Sequence, residues 1–505
     1  MRNFLIPFRI IVGVIFIISG LIKANDPVGF SYKMEEYFTV FKTQDSVATT
    51  VFEMRELSED EKDAVFAGTS SIIPVDFNGT PIDLSAEGAR DEFMYVNAEL
   101  VTYSMVERDN FWNSFCNVMH DNALLLSIFV CVIEILLGLA VIAGVFTTLT
   151  AWSLLGMIIF FCILTLYSAY YDKVTDCGCF GDALKLTPWQ SFTKDVVLLV
   201  LILPLVIFPK KWSGKVFDTT EKIVSVGSII LGIVLCLTVF DWQLPAIFII
   251  VAVLLRWMVG MFGMKPAMLA PIAVLLPTLF SIAFTVHCYY YLPKKDYRPW
   301  AIGNSIPSKM VGEPEQANIY MIYKNKETGK EVENLAVSTD ENGVVTNSWE
   351  WMDSTFLATH DFVDRRQEVI KPAVVAPIHD MSLTDPATGM NYFEDFVYKP
   401  GPKLFVVTYD LSKTNLKAMP KINAIADEWM KEGNEIIGAT SSSDLLVEFL
   451  VDNKVPFPYY TNDATALKTI VRSNPGLLLI QDTIVRGMWP STALPDMNEI
   501  KSKLK

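Results

Sequence analysis

Seven apolar runs decide most of what this chain can fold into. A bilayer's hydrocarbon core takes about 20 apolar residues per helix. The runs Phe4–Ile22, Ala123–Ala143, Leu149–Tyr171, Val196–Phe208, Ile223–Phe240, Leu244–Met261 and Ala267–Leu292 are read as spans. The fourth is short and lengthens if the helix begins near Phe192. The seventh holds Pro271 and Pro277, which are expected to kink it. The first run is too long for a signal peptide and no small-x-small cleavage site follows it, so it is read as a retained anchor. Composition agrees: 51% of the 505 residues are hydrophobic and only 19% are charged. A net charge of −15 argues against nucleic acid as a partner, because phosphates are repelled.

Charge also orients the spans. Short cytoplasmic loops carry Lys and Arg. Arg2 and Arg9 precede or enter the first span. Lys210, Lys211, Lys215 and Lys222 lie between the fourth and fifth, and Arg256 and Lys265 at the turn between the sixth and seventh. These three sites share one side if the N-terminus is cytoplasmic. The other side then receives Ala24–Asn122, the loop around "DCGCFGD", the turn Asp241–Gln243 and everything after Leu292. The first of these segments alone carries about 13 excess negative charges. The expectation is a cytoplasmic (inner) membrane protein with its C-terminal region in the periplasm.

All seven cysteines fall between Cys116 and Cys288. Two of them, Cys177 and Cys179, stand one glycine apart in "TDCGCFGDALKL", on the side where disulfides form and persist. Residues i and i+2 reach disulfide distance, but the small ring strains the bond. Gly178 relieves the backbone part of that strain, and a strained, exposed disulfide exchanges readily. Cys177 and Cys179 are therefore candidates for redox exchange. Two other readings of the same residues stay open: a tight turn with small buried sulfurs, and a metal site, against which stands the lack of a metal-type CxxC pair. Cys116 and His120, spaced i and i+4 before the second span, and His287 with Cys288 near the end of the seventh, share this level. If those helices neighbour the loop, Cys116 and Cys288 become candidates for a disulfide relay or, with the imidazoles, for zinc. Cys131, Cys162 and Cys236 lie inside spans and read as small packing residues.

Glu134 sits in the middle of the second span, where a carboxylate is costly and must face the bundle interior. It is either a proton site beside a lipid-soluble electron carrier or an interhelical hydrogen bond that fixes packing. Asp241 and Arg256, near helix ends, are expected to be solvated or snorkelling.

The strings "SGLIKANDPVGFSYKMEEYF", "EILLGLAVIAGVFT" and "DCGCFGDALKL" resemble the DoxX/MauE group of small four-helix membrane proteins. The resemblance covers roughly residues 1–208, interrupted by an insertion, and is most specific at "CGCFG". It implies electron transfer at a membrane quinone or disulfide chemistry with a periplasmic thioredoxin-like partner, with Cys177 and Cys179 as the redox pair. The insertion and the last three spans depart from the four-helix pattern.

In the insertion, Ser58 with Glu61 signals a helix start, and Asn78-Gly79 a turn between short strands. The stretch "DEFMYVNAELVTYSMVERDNFW" reads as an amphipathic helix. After the seventh span, "YLPKKDYRPWAIGNSIP" reads as a linker along the membrane surface, and "ANIYMIYKNKETGKEVENLAV" as a hairpin turning at Thr328-Gly329. From about Ile378 strands and helices alternate, ending in a hairpin around Asp482-Thr483 and a last helix. "IHDMSLTDPATGMNYFEDFVYKPGPKLFVVTYDL" and "IVRSNPGLLLIQDTIVRGMW" resemble TlpA-like thioredoxin domains, with Pro475 where that family places its cis-proline. After Asp410, where such a domain carries CxxC, this chain reads "LSKTN", and no thiol lies anywhere in the region. It cannot exchange disulfides itself.

The expected architecture is a multi-pass α-helical membrane protein of about seven spans, a DoxX-like four-helix bundle plus three, with a C-terminal α/β thioredoxin-like extracytoplasmic domain. The segments are 1–42, an extracytoplasmic insertion 43–116, the rest of the bundle 117–208, three further helices 209–292, a linker and β-rich segment 293–376, and the thioredoxin-like domain 377–505. Two functions stand side by side. One is a thiol–disulfide oxidoreductase or quinone-linked electron carrier acting through Cys177 and Cys179 on a thioredoxin-like or other envelope protein, with Glu134 as proton site. The other is a non-enzymatic membrane-anchored scaffold whose outer domains bind such a partner. A transporter is the weaker third, since the spans hold few charges.

Overall fold

The computed structural model describes residues 2–69, 72, 74, 75, 81, 82, 84, 85, 95–171, 178–212, 216–261, 266–339, 345–347, 353–379 and 381–504. The chain opens with helices α1 (Ile6–Asn25) and α2 (Pro27–Phe41). They are followed by β1 (Gln44–Glu56), α3 (Glu59–Phe66), β2 (Tyr95–Glu107) and α4 (Phe111–Asp121). Six long helices come next: α5 (Ala123–Ala143), α6 (Thr147–Tyr171), α7 (Pro188–Ile207), α8 (Thr219–Thr238), α9 (Leu244–Met261) and α10 (Pro266–Tyr291). Beyond them lie α11 (Ile306–Lys309), β3 (Gln316–Asn325), β4 (Glu331–Thr339), β5 (Val345–Asn347), α12 (Ser354–Thr359) and β6 (His360–Lys371). The last stretch holds α13 (Phe393–Tyr398), β7 (Pro402–Val407), α14 (Met419–Lys431), β8 (Glu435–Thr440), α15 (Leu446–Asp452) and β9 (Tyr459–Thr461). It closes with α16 (Ala464–Ile470), β10 (Gly476–Gln481), β11 (Ile484–Pro490) and α17 (Met497–Ser502). Two compact units result: Met1–Ser31 with Ser127–Lys505, and Tyr32–Leu126.

Among the described residues seven helices, α1 and α5 to α10, are long and apolar enough to cross a membrane. The chain is a multi-pass α-helical membrane protein with a C-terminal α/β region. The fourth span is longer than its apolar run. It starts at Pro188, because Thr187 and Gln190 form a reciprocal capping box (3.3 and 3.0 Å) ahead of the lipid-facing residues. The seventh continues through Pro271 and Pro277 as one helix.

α1 is the inner helix, packed against α7, α8, α9 and α10. It meets α5 where both chains lack a side chain. A Cβ on Gly138 would lie 2.7 Å from the Gly13 carbonyl, so only glycine lets the backbones come this close. At the lysine-rich end of the bundle, Glu221 of α8 accepts from Arg9 (2.8 and 2.9 Å) and from Arg256 of α9 (2.8 Å). Arg9 also donates to the Val141 and Ile142 carbonyls at the end of α5 (3.1 and 3.0 Å). Arg256 is thus a buried ion-pair member and not a snorkelling side chain, because its guanidinium finds a carboxylate inside the bundle. Asp241 is exposed and pairs with Lys295.

The C-terminal sheet has the order β11-β10-β7-β8-β9, with β7, β8 and β9 parallel and β10 antiparallel to both its neighbours. Alternation along β7 feeds two cores. Phe405 and Val407 pack with Phe393, Ile470 and Ile480 on one face. Leu404 and Val406 pack with Ile422, Trp429 and Ile500 on the other. The segment after α10 does not run as a surface linker. Trp300 and Ile306 are fully buried in the first of these cores, which a tryptophan reaches more favourably than an interface. The peptide before Pro475 is cis. A second, antiparallel sheet, β5-β4-β3-β6, holds the hairpin foreseen at Thr328-Gly329, with Gly329 at φ +69°.

In the unit Tyr32–Leu126, Ser58 and Glu61 cap α3 as foreseen. Asn78 and Gly79 lie outside the described residues. The stretch read as an amphipathic helix is instead mostly β2, paired with β1 along its whole length from Gln44–Glu107 to Glu56–Tyr95. Its Tyr, Val and Thr residues find a 13-residue strand of similar composition, and that pairing overrides the helical period. The helix begins only at Phe111, capped by Asn110 (2.7 Å to Asn113 N).

Candidate functional site

The "CGCFGD" loop joins α6 to α7. Cys177 lies outside the described residues. From Gly178 onward the backbone turns tightly, and both motif glycines take the left-handed conformation their neighbours avoid: Gly178 at φ +64° and Gly181 at φ +50°. Gly181 N donates to Gly178 O (3.1 Å). The turn points Cys179 and Phe180 inward, where both are buried. Phe180 packs against Phe240, their ring centroids 5.4 Å apart.

Beneath Cys179 lies a cluster of charge. Lys23 near the end of α1 donates to Glu134 Oε1 of α5 at 2.5 Å, and both side chains are about 2% exposed. The Ser19 hydroxyl accepts from Lys23 (3.1 Å) and faces both Glu134 Oε2 and the Cys179 carbonyl, each at 3.1 Å. A cavity of about 20 Å³ is lined by Ser19, Lys23, Glu134, Cys179 and Asp195, among others. Asp195, buried on α7, accepts from Thr165 of α6 (3.1 Å), and Lys194 Nζ lies 2.7 Å from its other oxygen. On its far side Lys23 sits 4.9 Å from the ring centroid of Phe161. Phe161 also lines an open apolar groove of about 770 Å³ between α5, α6 and α10, walled by Val130, Ile133, Leu137, Leu149 and Val274.

Above the loop, the C-terminal region reaches down. Arg472, between α16 and Pro475, donates to Asp26 at the end of α1 (2.9 and 3.2 Å) and to Asp182 of the cysteine loop (3.0 Å). Burial disfavours the charged Asp26 carboxylate. Arg472, Arg298 and the Gly29 N–H together outweigh it and hold the group below its ordinary range. A Cβ on Gly29 would collide with Asp26 and meet Arg472 at 2.8 Å. The adjoining Asn474 donates to the Asp410 carbonyl (2.6 Å) and accepts from Thr414 (3.2 Å). The segment from Arg472 to Asn474 therefore links the cysteine loop to the "DLSKTN" segment.

Residues 113–208 match the family model described as Methylamine utilisation protein MauE. No curated protein and no solved structure matches the chain. The MauE-like segment runs from α4 to the end of α7 and so includes Cys116, Glu134, the cysteine loop and Asp195. Lys23 and Arg472 lie outside it.

Of the residues singled out from sequence, Cys179 and Glu134 come together around one cavity. Cys116 belongs to the unit Tyr32–Leu126, where burial pushes its thiol up and Lys42 offsets only part of this. Cys288 is buried on α10, and neither cysteine lines that cavity. His287 stacks on Tyr291, and His120 lies beside Asp121. Sequence reasoning missed Lys23, Asp195, Lys194 and Arg472. A usable signal existed for the first: a carboxylate inside a span demands a cation, and Lys23 follows Ser19 by one helical turn at the end of the inner helix.

Proposed function

We propose that this protein is a membrane thiol–disulfide exchange protein of the cytoplasmic membrane, with Cys177 and Cys179 as its redox pair. With the Lys- and Arg-rich ends of the spans in the cytoplasm, the loop and the C-terminal region would face the periplasm. The observation that carries it is the seat of Cys179: it shares a small, largely apolar cavity with the buried Lys23–Glu134 pair. Exchange needs a thiolate, and a nearby cation favours one. The Cys179 thiolate attacks a sulfur of a partner's disulfide, one partner sulfur leaves as thiolate, and Cys177 then closes on Cys179 as the second partner sulfur leaves. Two electrons pass to the partner, or the reverse, according to the partner's potential.

A membrane quinone fits the apolar groove lined by Phe161, whose wall is mostly hydrocarbon and whose Phe161 ring also packs against Lys23. Val130, Ile133, Leu149 and Val274 would hold its tail. A bound quinone supplies an acceptor for the two electrons and two protons released when a dithiol closes. Lys23 and Glu134 remain the groups that hold a proton at that end.

The C-terminal domain acts as a cover in this reading. Its sheet order, the Pro475 loop and the "DLSKTN" segment fit a thioredoxin-like domain of TlpA type that has lost its nucleophile. It presents Arg472 to Asp182 of the cysteine loop, as an exchange partner would approach that loop. The same contact favours a second reading, in which the chain is an envelope scaffold and the domain a fixed docking module for another envelope protein.

Trapping separates the two. Cys177→Ser or Cys179→Ser should leave a mixed disulfide with an envelope protein, visible on a non-reducing gel. A Cys177/Cys179 double serine variant that keeps full function, with no trapped species in either single variant, would favour the scaffold. Labelling with a membrane-impermeant maleimide tests the orientation directly.

A further inference from the structure

The Lys23–Glu134 pair is more than either helix needs. α1 and α5 are already drawn together at Gly13, Gly20 and Gly138, where a Cβ on Gly20 would lie 3.0 Å from the Cys131 carbonyl. A buried ion pair adds little to such packing, since hydrocarbon of the same volume does as well or better. Yet here the pair is buried, one-to-one, and lines a cavity that Cys179 lines as well.

We propose that Lys23 is the counter-ion of the Cys179 thiolate and that Glu134 accepts the thiol's proton. This rests on the exchange chemistry assigned to Cys179 above. In the step, the Cys179 S–H bond breaks, the proton ends on a Glu134 oxygen, and Lys23 stays an ammonium. Before it Lys23 faces one carboxylate; after it, one thiolate and a neutral acid, while Lys194 and Asp195 in the same lining keep their own pairing. The number of charges is unchanged, so low polarity opposes neither side.

The geometry supplies the route. The cavity of about 20 Å³ has room for one water, and the few polar groups in its mostly apolar wall, Ser19, Glu134 and Asp195 among them, offer that water partners. Ser19 has a single hydroxyl proton and two acceptors at 3.1 Å, Glu134 and the Cys179 carbonyl. It donates to Glu134 while that carboxylate is charged and can turn to the loop carbonyl once it is protonated. The other titratable groups facing this site are Asp195 with its own partners Thr165 and Lys194, and Cys131, one helical turn before Glu134 on α5.

Alkylation of Cys179 tests it. The reduced full-length protein in membrane vesicles is treated with iodoacetamide from pH 6 to pH 9.5, and the Cys179 peptide is quantified by mass spectrometry. The native protein is expected to react at a rate that levels off below pH 8. Lys23→Met should slow the reaction at pH 7 about tenfold, and Lys23→Arg should largely retain it. If Lys23→Met does not fold, the charge-neutral pair Lys23→Met with Glu134→Gln is read in its place and should be equally slow. The proposal falls if both variants react within twofold of the native protein. It falls equally if the native rate climbs through pH 8.5 like an ordinary thiol, or if no alkylation is seen at any pH. Trapping that succeeds with rates that ignore Lys23 removes only this proposal. Lysine-dependent rates with no trapped partner remove only the exchange reading.

Discussion

Two buried ion clusters hang on the same helix, and they are built to opposite plans. At the lysine-rich end, Glu221 is held by Arg9 and Arg256 inside the bundle and by Arg2 at its edge (3.3 Å). Arg9 spends its remaining donors on α5 carbonyls. The small cavity beside Arg256 is otherwise lined by apolar side chains. At the cysteine-loop end, Lys23 and Glu134 have one carboxylate for one ammonium, a hydroxyl with two acceptors and a cavity shared with a thiol. Over-satisfied charge locks helices; evenly matched charge beside a titratable group can be rearranged. The first cluster ties α1, α5, α8 and α9 together, and the second leaves a small cavity beside Cys179.

The largest effect should come from breaking the lock. Glu221→Gln leaves Arg9 and Arg256 facing each other without a shared carboxylate. Removing one partner of a buried pair costs about 3–5 kcal/mol, and here two cations are stranded. Thermal unfolding in detergent should show the lowest midpoint of any variant considered, while the alkylation rate of Cys179 in folded protein stays at the native value. A midpoint within a degree or two of native would show that the hub carries no such load.

The two clusters also mark where sequence was readable. Spans show themselves by length and apolarity, and α5 and α9 match their runs end to end. The strands β8 (EIIGAT) and β10 (GLLLIQ) are short, mostly apolar runs buried on both faces and read equally well. What stayed hidden was pairing across the fold. β2 has a composition that suits either element, and only β1, about 50 residues earlier, decides it. Arg256 reads as a helix-end cation until Glu221, 35 residues away, is placed against it. Glu134 was legible as a costly carboxylate, but its partner was 111 residues off. Arg472 lies 290 residues from Asp182 and 446 from Asp26, and nothing local marks it. Periodicity reports which face is apolar; it holds no record of what that face will meet.

A smaller effect is expected where the cover meets the loop. Arg472→Ala removes charge-assisted bonds to two carboxylates, worth about 2–3 kcal/mol of docking. Limited proteolysis after Lys468 should speed up tenfold or more, and access of a bulky maleimide to Cys179 should rise with it. The same contact should be sensitive to acid. Asp26 is held below its ordinary value in the folded chain, so it stabilises docking above about pH 4 and ceases to as pH falls through the lowered value. Maleimide access to Cys179 should therefore stay low from pH 7 to about pH 4 and rise below it. Access that is already high at pH 7 in the native protein would mean that the Arg472 contact does not cover the loop.

The smallest change should come from the cluster that chemistry can use. Replacing Lys23 by Met and Glu134 by Gln together removes both charges and strands neither. Ser19 keeps an acceptor in the amide oxygen that takes the place of the carboxylate, and methionine fills the space of the lysine's stem against Phe161. Buried pairs exchanged for neutral groups of similar volume are often neutral in stability, so the unfolding free energy should stay within about 1 kcal/mol of native. A matched swap at the other end, Arg9→Met with Glu221→Gln, should not be forgiven, because Arg256 and the Val141 and Ile142 carbonyls lose their partners. If both double variants fall equally, the two clusters are equally structural and the distinction between lock and site disappears. If only the Arg9 and Glu221 swap falls, the Lys23–Glu134 pair is being kept for a reason other than holding the bundle together.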